Sequence, residues 1–166
     1  MKKSKYMKIK KNSNDRFVSM CTRCFEPAEK CRCTKEQWFE FPRLLRGTYV
    51  SIDKDIYPII RWLNQNGYYT EYCCQGHPYA NYISFRDRIK DMNIPVPEGF
   101  KIGAAGHGLY CPKDMKSEDA LNAEYDMIRH MKPNVEALEA RRLWLEENKR
   151  RREEAIRLQT ERILHK

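Results

Sequence analysis

Ile56, Ile59, Ile60 and Leu63 recur at i, i+3, i+4 and i+7, which places four apolar side chains on one face of an α-helix. The spacing predicts a helix over residues 54–66 packed against a sheet. Asp53 stands before it as a predicted N-cap, and Gly67 follows where a left-handed residue closes a helix. β-Branched and aromatic residues concentrate at 48–52, 68–73 and 81–85, the composition of strands. Weaker strands are predicted at 100–103 and 109–111. Between them, Gly103-Ala-Ala-Gly-His-Gly108 reads as a hairpin loop, because it has neither the lysine–Ser/Thr pair nor the strand–helix context of a phosphate loop.

Residues 86–92 read as a short helix. Pro95 and Pro97 then predict an extended connector over 94–99, since proline continues neither a helix nor a central strand. Ser117 opens a helix that Pro133 interrupts, and Asn134 is placed to cap a further helix running nearly to Lys166. In that last helix Glu146/Arg150, Glu147/Arg151 and Glu153/Arg157 are spaced as i,i+4 ion pairs. Its apolar residues fall into two groups, Val135, Leu138, Trp144 and Leu145, then Ile156, Leu158, Ile163 and Leu164. The gap between the groups breaks any coiled-coil heptad. The first half is expected to pack on the body and the second half to project.

The fold class predicted from these elements is α+β. It comprises a small zinc-bound N-terminal module, a mixed or antiparallel sheet with packed helices, and a long charged C-terminal helix. The expected division is a basic disordered tail over 1–14, a zinc-binding module over 15–36, an α+β domain over 45–113 and a helical region over 114–166. Trp38, Phe39, Phe41 and Pro42 form an aromatic connector expected to dock the metal module on the body.

Charge sharpens this division. The chain of 166 residues carries a net charge of +9, but Lys2, Lys3, Lys5, Lys8, Lys10 and Lys11 supply six positive charges before residue 15 with no acid among them. The rest is close to balanced. Such a tail raises affinity for any polyanion and specifies none, and a solubilising tail would look the same. No apolar run approaches the length of about 18–20 residues that a membrane span needs.

Cys21, Cys24, Cys31 and Cys33 spell C-x2-C-x6-C-x-C, two thiol pairs one short loop apart, as in small zinc-ribbon-like modules. The surrounding segment has little apolar material with which to fold, and a bound zinc would supply the missing free energy. The alternatives are two disulfides or unrelated reduced thiols. Disulfides need an oxidising compartment. Residues 1–14 are basic enough for a signal n-region, yet no run of about 7–15 apolar residues follows, so a cytoplasmic protein is expected.

A second constellation joins Cys73-Cys74-x2-His77 to His107-x3-Cys111. Cys74, His77, His107 and Cys111 would make a two-sulfur, two-nitrogen zinc set if the fold brought them together. Cys74, His77 and His107 are also the candidates for a thiol–imidazole catalytic site, and a plain structural turn is the third reading.

The run from Asp53 to His77, with Leu63-Asn-Gln-Asn-Gly-Tyr68 followed by Thr70-Glu-Tyr-Cys-Cys-Gln-Gly-His77 and then Tyr82-Ile-Ser-Phe85, resembles a group of small uncharacterised bacterial and bacteriophage proteins. Several of those also carry an N-terminal cysteine cluster. A more distant similarity runs to the wybutosine-synthesising tRNA methyltransferases, matched at Tyr68, Tyr69, Thr70, Cys74 and Gly76. Cys73, Gln75 and His77 depart from that pattern. What the resemblance implies is a cleft position for residues 74–77, without S-adenosylmethionine chemistry.

Together these readings describe a zinc-binding accessory protein, of phage or mobile-element type, that contacts nucleic acid or a nucleoprotein complex. Its lysine tail and an arm bearing Arg150, Arg151 and Arg152 would meet the phosphates. No catalytic carboxylate pair is present, so the chain reads as a binding module before an enzyme. The alternatives are an enzyme using Cys74 and His77 on a nucleotide or RNA, and an inhibitor docking on a host defence or transcription protein.

Overall fold

A computed structural model describes residues 16–33, 49–74 and 81–164. The lysine tail, the aromatic connector and His77 lie outside the described residues. Among those residues the order is β1 (Phe17–Cys21), β2 (Tyr49–Asp53), α1 (Tyr57–Gln65), β3 (Thr70–Cys74), β4 (Tyr82–Phe85), β5 (Lys101–Ile102), β6 (Gly108–Tyr110), α2 (Ser117–Arg129) and α3 (Val135–Leu164). The architecture is α+β with two antiparallel sheets. One is the pair β1-β2, and the other has four strands in the order β3-β4-β6-β5. No helix among the described residues is long and apolar enough to cross a membrane.

The isoleucine–leucine stripe behaves as its period requires. Ile56, Ile59, Ile60 and Leu63 are fully buried, and they meet Ile83, Phe85 and Leu109 from the core face of the four-stranded sheet. The helix itself starts later than the sequence predicts. Asp53 is not an N-cap but the last residue of β2, paired with Phe17 and ion-paired with Arg16. Residues 54–56 form a turn, and α1 begins at Tyr57. Pro58 accounts for the start, because its missing N–H is harmless only in the first helical turn.

The end of α1 is a Schellman motif. Gly67 takes φ +87°, its N–H donates to the Asn64 carbonyl, and the Tyr68 N–H donates to Leu63 at 2.9 Å. Tyr68 then stacks on Trp62 at 6.3 Å. The buried Asn64 side chain donates to the Ile60 carbonyl (2.8 Å) and to Thr70 Oγ1 (2.7 Å), and accepts from the Thr70 N–H (3.1 Å). Asn64, Gly67, Tyr68 and Thr70 thus form one α1–β3 corner, with every polar atom of the amide partnered.

Residues 86–92 do not form a helix. They run as consecutive turns, ending on Asn93 at φ +53°, before the Pro95–Pro97 connector. The Ile89 N–H donates to the Gly106 carbonyl at 2.9 Å, so this segment is tied to the β5–β6 hairpin loop and not to a helical ladder of its own. The hairpin between β5 and β6 forms as its glycines require, with Gly106 at φ +81°.

Asn134 caps α3 by accepting from the Ala137 N–H at 3.1 Å, and its own N–H donates to the Asn66 carbonyl at 2.9 Å. The start of α3 is therefore pinned to the end of α1. Of the predicted i,i+4 pairs on α3, Glu147–Arg151 forms at 2.9 Å. Glu146 instead turns back to Arg142, and Glu153 to Lys149. Several acids and bases lie within reach of one another on this face, and the carboxylates choose among nearly equivalent partners, Glu147 taking both Arg150 and Arg151.

Candidate metal centre

The four N-terminal cysteines converge. Their sulfur atoms all lie within 4.8 Å of one another, and no disulfide joins them. Cys21 Sγ lies 4.0 Å from Cys33 Sγ, and Cys24 Sγ lies 3.6 Å from Cys31 Sγ. Zinc–thiolate bonds of about 2.3 Å directed to a tetrahedron set sulfur–sulfur edges of about 3.8 Å. The donor set therefore fits a tetrahedral, thiolate-binding ion, and a metal ion can be held here.

Local backbone geometry explains why these spacings close. Cys21 ends β1, and the chain reverses through Thr22, Arg23 and Cys24. The Phe25 N–H donates back to the Cys21 carbonyl at 2.9 Å, with Phe25 in the left-handed region at φ 62°. That conformation costs a non-glycine residue about 1–2 kcal/mol. Burial of the Phe25 ring offsets it: the residue is 7% exposed and packs against Tyr69. Backbone N–H groups point at sulfur, among them Arg23 to Cys21 Sγ at 3.4 Å, Cys33 to Cys31 Sγ at 3.5 Å, and Glu26 to Cys24. Such donors favour thiolates over thiols.

The thiol acidities reflect four sulfurs in one small space. Burial pushes Cys24 far above the ordinary thiol value, and Cys33 up to about 11. Burial also raises Cys31, but the Cys33 backbone N–H, the Tyr49 hydroxyl and the neighbouring thiols outweigh it and bring Cys31 down to about 7. A cluster of like charges cannot ionise throughout without a cation among them, and a divalent ion is what reverses that balance.

The loop is held by residues that the sequence did not mark as belonging to it. Tyr57, Arg61 and Gln65 lie one helical turn apart on the polar side of α1. The Tyr57 hydroxyl donates to the Phe25 carbonyl at 3.1 Å, Arg61 ion-pairs with Glu26, and Gln65 Nε2 donates to the Cys24 carbonyl at 3.4 Å. From the other side Arg141 of α3 donates to the Arg23 carbonyl and covers the rings of Phe25 and Tyr69 at 4.5 and 5.1 Å. The i, i+4, i+8 stride of 57, 61 and 65 was a usable signal. Nothing in the sequence separated Arg141 from Arg142. The cysteine loop is also not a separate bead, since β1 pairs along its whole length with β2.

The second constellation is only partly within the described residues. Cys74 closes β3 opposite Tyr82, and Tyr82 lies opposite Tyr110, so Cys74 and Cys111 share one end of the sheet. His107 stands at the other end, where its carbonyl accepts from the Phe85 N–H, while the Cys111 N–H donates to Asn81. Four extended Cα-to-Cα steps carry His107 about 13 Å from Cys111, more than one ion can bridge. The Cys111 thiol donates to the Pro112 carbonyl at 3.3 Å, and burial, then Glu124 and Asp114, raise its pKa. The proposed phosphate arm is also altered: Arg150 and Arg151 both pair with Glu147. A shallow groove of about 730 Å³ bounded by Leu143, Glu147 and Arg150 runs along α3 and shares no residue with the cysteine cluster.

Comparison with protein-family models, with curated proteins and with solved structures finds no match for this chain.

Proposed function

We propose that this chain is a zinc-stabilised accessory protein that contacts nucleic acid, or a protein complex that handles it. The observation that carries the zinc half is the cluster of four sulfurs, with both named edges close to the tetrahedral value. Zinc fits better than a redox metal in a site whose evident work is structural. The loop it organises is gripped by α1 on one side and α3 on the other, so the ion joins three parts of the chain.

The nucleic-acid half is supported by where the charge sits. Six lysines precede residue 15 without a single acid, and Arg23, Lys30 and Arg32 lie inside the cysteine loop, the last two exposed. Arg150 and Arg151 share Glu147 on the same helix, so the charge that no acid offsets lies mainly in the tail, and phosphate contact falls mainly there.

Two measurements test this reading. Plasma mass spectrometry of the purified protein is expected to find one zinc per chain, and a metal-free, folded protein would overturn the first half. Binding to a labelled DNA or RNA is expected to weaken steeply between low salt and about 300 mM salt. Replacing Lys2, Lys3, Lys5, Lys8, Lys10 and Lys11 by glutamine is expected to flatten that dependence. Binding that ignores both changes would remove the second half.

A further inference from the structure

Resting on the nucleic-acid reading above, we infer that the solvent face of the four-stranded sheet is a stacking platform for unpaired bases of a single-stranded nucleic acid. Strand register assigns the two faces, with Ile102 at the sheet edge exposed although it lies in the core-side row. Cys73, Ile83 and Leu109 lie in one row on the core side, and Ile83 and Leu109 are fully buried. The opposite side carries Tyr72, Tyr82, Ser84, Gly108, Tyr110 and Lys101, from the pairs Tyr72↔Ser84, Ser84↔Gly108, Tyr82↔Tyr110 and Lys101↔Tyr110.

Three tyrosines therefore stand on the outer face of three neighbouring strands. Tyr72, in the middle of β3, is 67% exposed, and Tyr110, at the end of β6, is 41% exposed. Tyr82 and Tyr110 stack with ring centroids 5.7 Å apart. Tyr72 is diagonal to Tyr82 across β3 and β4, a separation of about 7–8 Å that aromatic rings can span together.

Two glycines make this face flat. A Cβ on Gly108 would come within 2.5 Å of the Tyr110 ring, and one on Gly103 within 2.7 Å. The Tyr110 ring lies over both positions, beside the Tyr82 ring. Glycine inside a strand weakens it, and it is kept where something must approach the backbone closely. Here the approaching group is the Tyr110 ring, and the result is a low aromatic floor in place of a row of upright side chains.

Charge selects the occupant. Lys101 is exposed and pairs in register with Tyr110 on the edge strand β5, and Arg86, also exposed, follows directly on β4. Aromatic rings bordered by cations match bases carried on a phosphate chain. Duplex bases are already stacked and hidden, so the face is open to single strands alone. Ser84 and the tyrosine hydroxyls offer few hydrogen-bonding groups, so bases are met through their π-faces, with little selection among them or between ribose and deoxyribose.

The test uses the full-length, metal-loaded protein and fluorescein-labelled oligonucleotides of one pyrimidine-rich sequence, as single-stranded DNA, single-stranded RNA and DNA duplex. Tyr72→Ala is expected to weaken single-strand binding about 5- to 100-fold, the range for losing one base–aromatic stack. Tyr72→Phe is expected to bind as wild type, because the ring is kept. Tyr72 is mostly exposed, so neither change threatens folding, and unchanged melting confirms it. Tyr110→Leu should produce a similar loss. Equal binding by wild type and Tyr72→Ala, no preference for single strand over duplex, or a strong preference for RNA over DNA would each overturn the platform. Failure of the wild type to bind any of the three at low salt would instead remove the nucleic-acid reading on which it rests.

Discussion

Arg141 and Arg23, 118 residues apart in the chain, are joined by a 2.6 Å hydrogen bond from the Arg141 guanidinium to the Arg23 carbonyl. The cation is largely enclosed, and burial lowers its pKa. An arginine accepts this because its flat, weakly hydrated head covers two aromatic faces while its N–H groups reach a carbonyl. The bond turns the cysteine loop and the start of α3 into one unit.

Arg141→Met is therefore expected to destabilise the protein by about 1.5–3 kcal/mol, the usual cost of a hydrogen bond from a charged group. Arg142, its exposed neighbour, pairs among the described residues only with Glu139 and Glu146 on the same helix. Arg142→Met should leave the melting temperature nearly unchanged. Denaturant unfolding of the two variants side by side checks the contrast, and zinc content should be the same in both.

Metal removal should loosen α3 as well as the loop. A strong chelator, or Cys24→Ser, is expected to lower the melting temperature and to expose backbone amides at 17–33 and around 137–141 to hydrogen exchange. Exchange that rises in the loop alone would show that Arg141 does not carry the coupling.

Gly67→Ala strikes the α1–α3 joint. The backbone at φ +87° costs an alanine about 1–2 kcal/mol, and its Cβ would sit 2.7 Å from the Asn134 carbonyl oxygen. The loss in unfolding free energy should therefore exceed the backbone cost alone, by chemical denaturation. A loss below that figure would mean that the Asn134 turn yields at no cost.

Glu124 sets a pH dependence. It is 1% exposed on α2, its Oε1 has no hydrogen-bond partner among the described residues, and burial raises its pKa to about 7 from the ordinary 4.5. The folded chain thus keeps a proton that the unfolded chain releases between those two values. Stability should fall as pH rises through that window, by about 3 kcal/mol in all, and then level off. Glu124→Gln should flatten the profile and leave the protein more stable than wild type at about pH 8. Thermal melts between about pH 5 and pH 8 decide it; parallel profiles for the two proteins would place the dependence elsewhere.

What could be read directly from the chain was whatever depends on near neighbours. The stripe Ile56-Ile59-Ile60-Leu63 follows from helical period, the break at Gly67 from a backbone angle that only glycine takes freely, the cap at Asn134 from one short side chain reaching an N–H three residues on. The four cysteines were legible as a candidate ligand set for the same reason, since two thiol pairs separated by a short loop have few other ways to meet. The start of α1 was misplaced because Asp53 satisfies a strand as readily as a cap, and only the pairing of β1 with β2 settles which.

Long-range partners had to come from the fold. Register decided that His107 and Cys111 stand at opposite ends of one strand, and that Tyr72, Tyr82 and Tyr110 share a solvent face. The meeting of Arg141 with Arg23, and of Tyr57, Arg61 and Gln65 with the cysteine loop, depended on how three helices settle around a small core. Local sequence sets the backbone angles and the period of each segment. Which faces then touch is chosen by burial and hydrogen bonding summed over the whole chain, and no window of a dozen residues contains that sum.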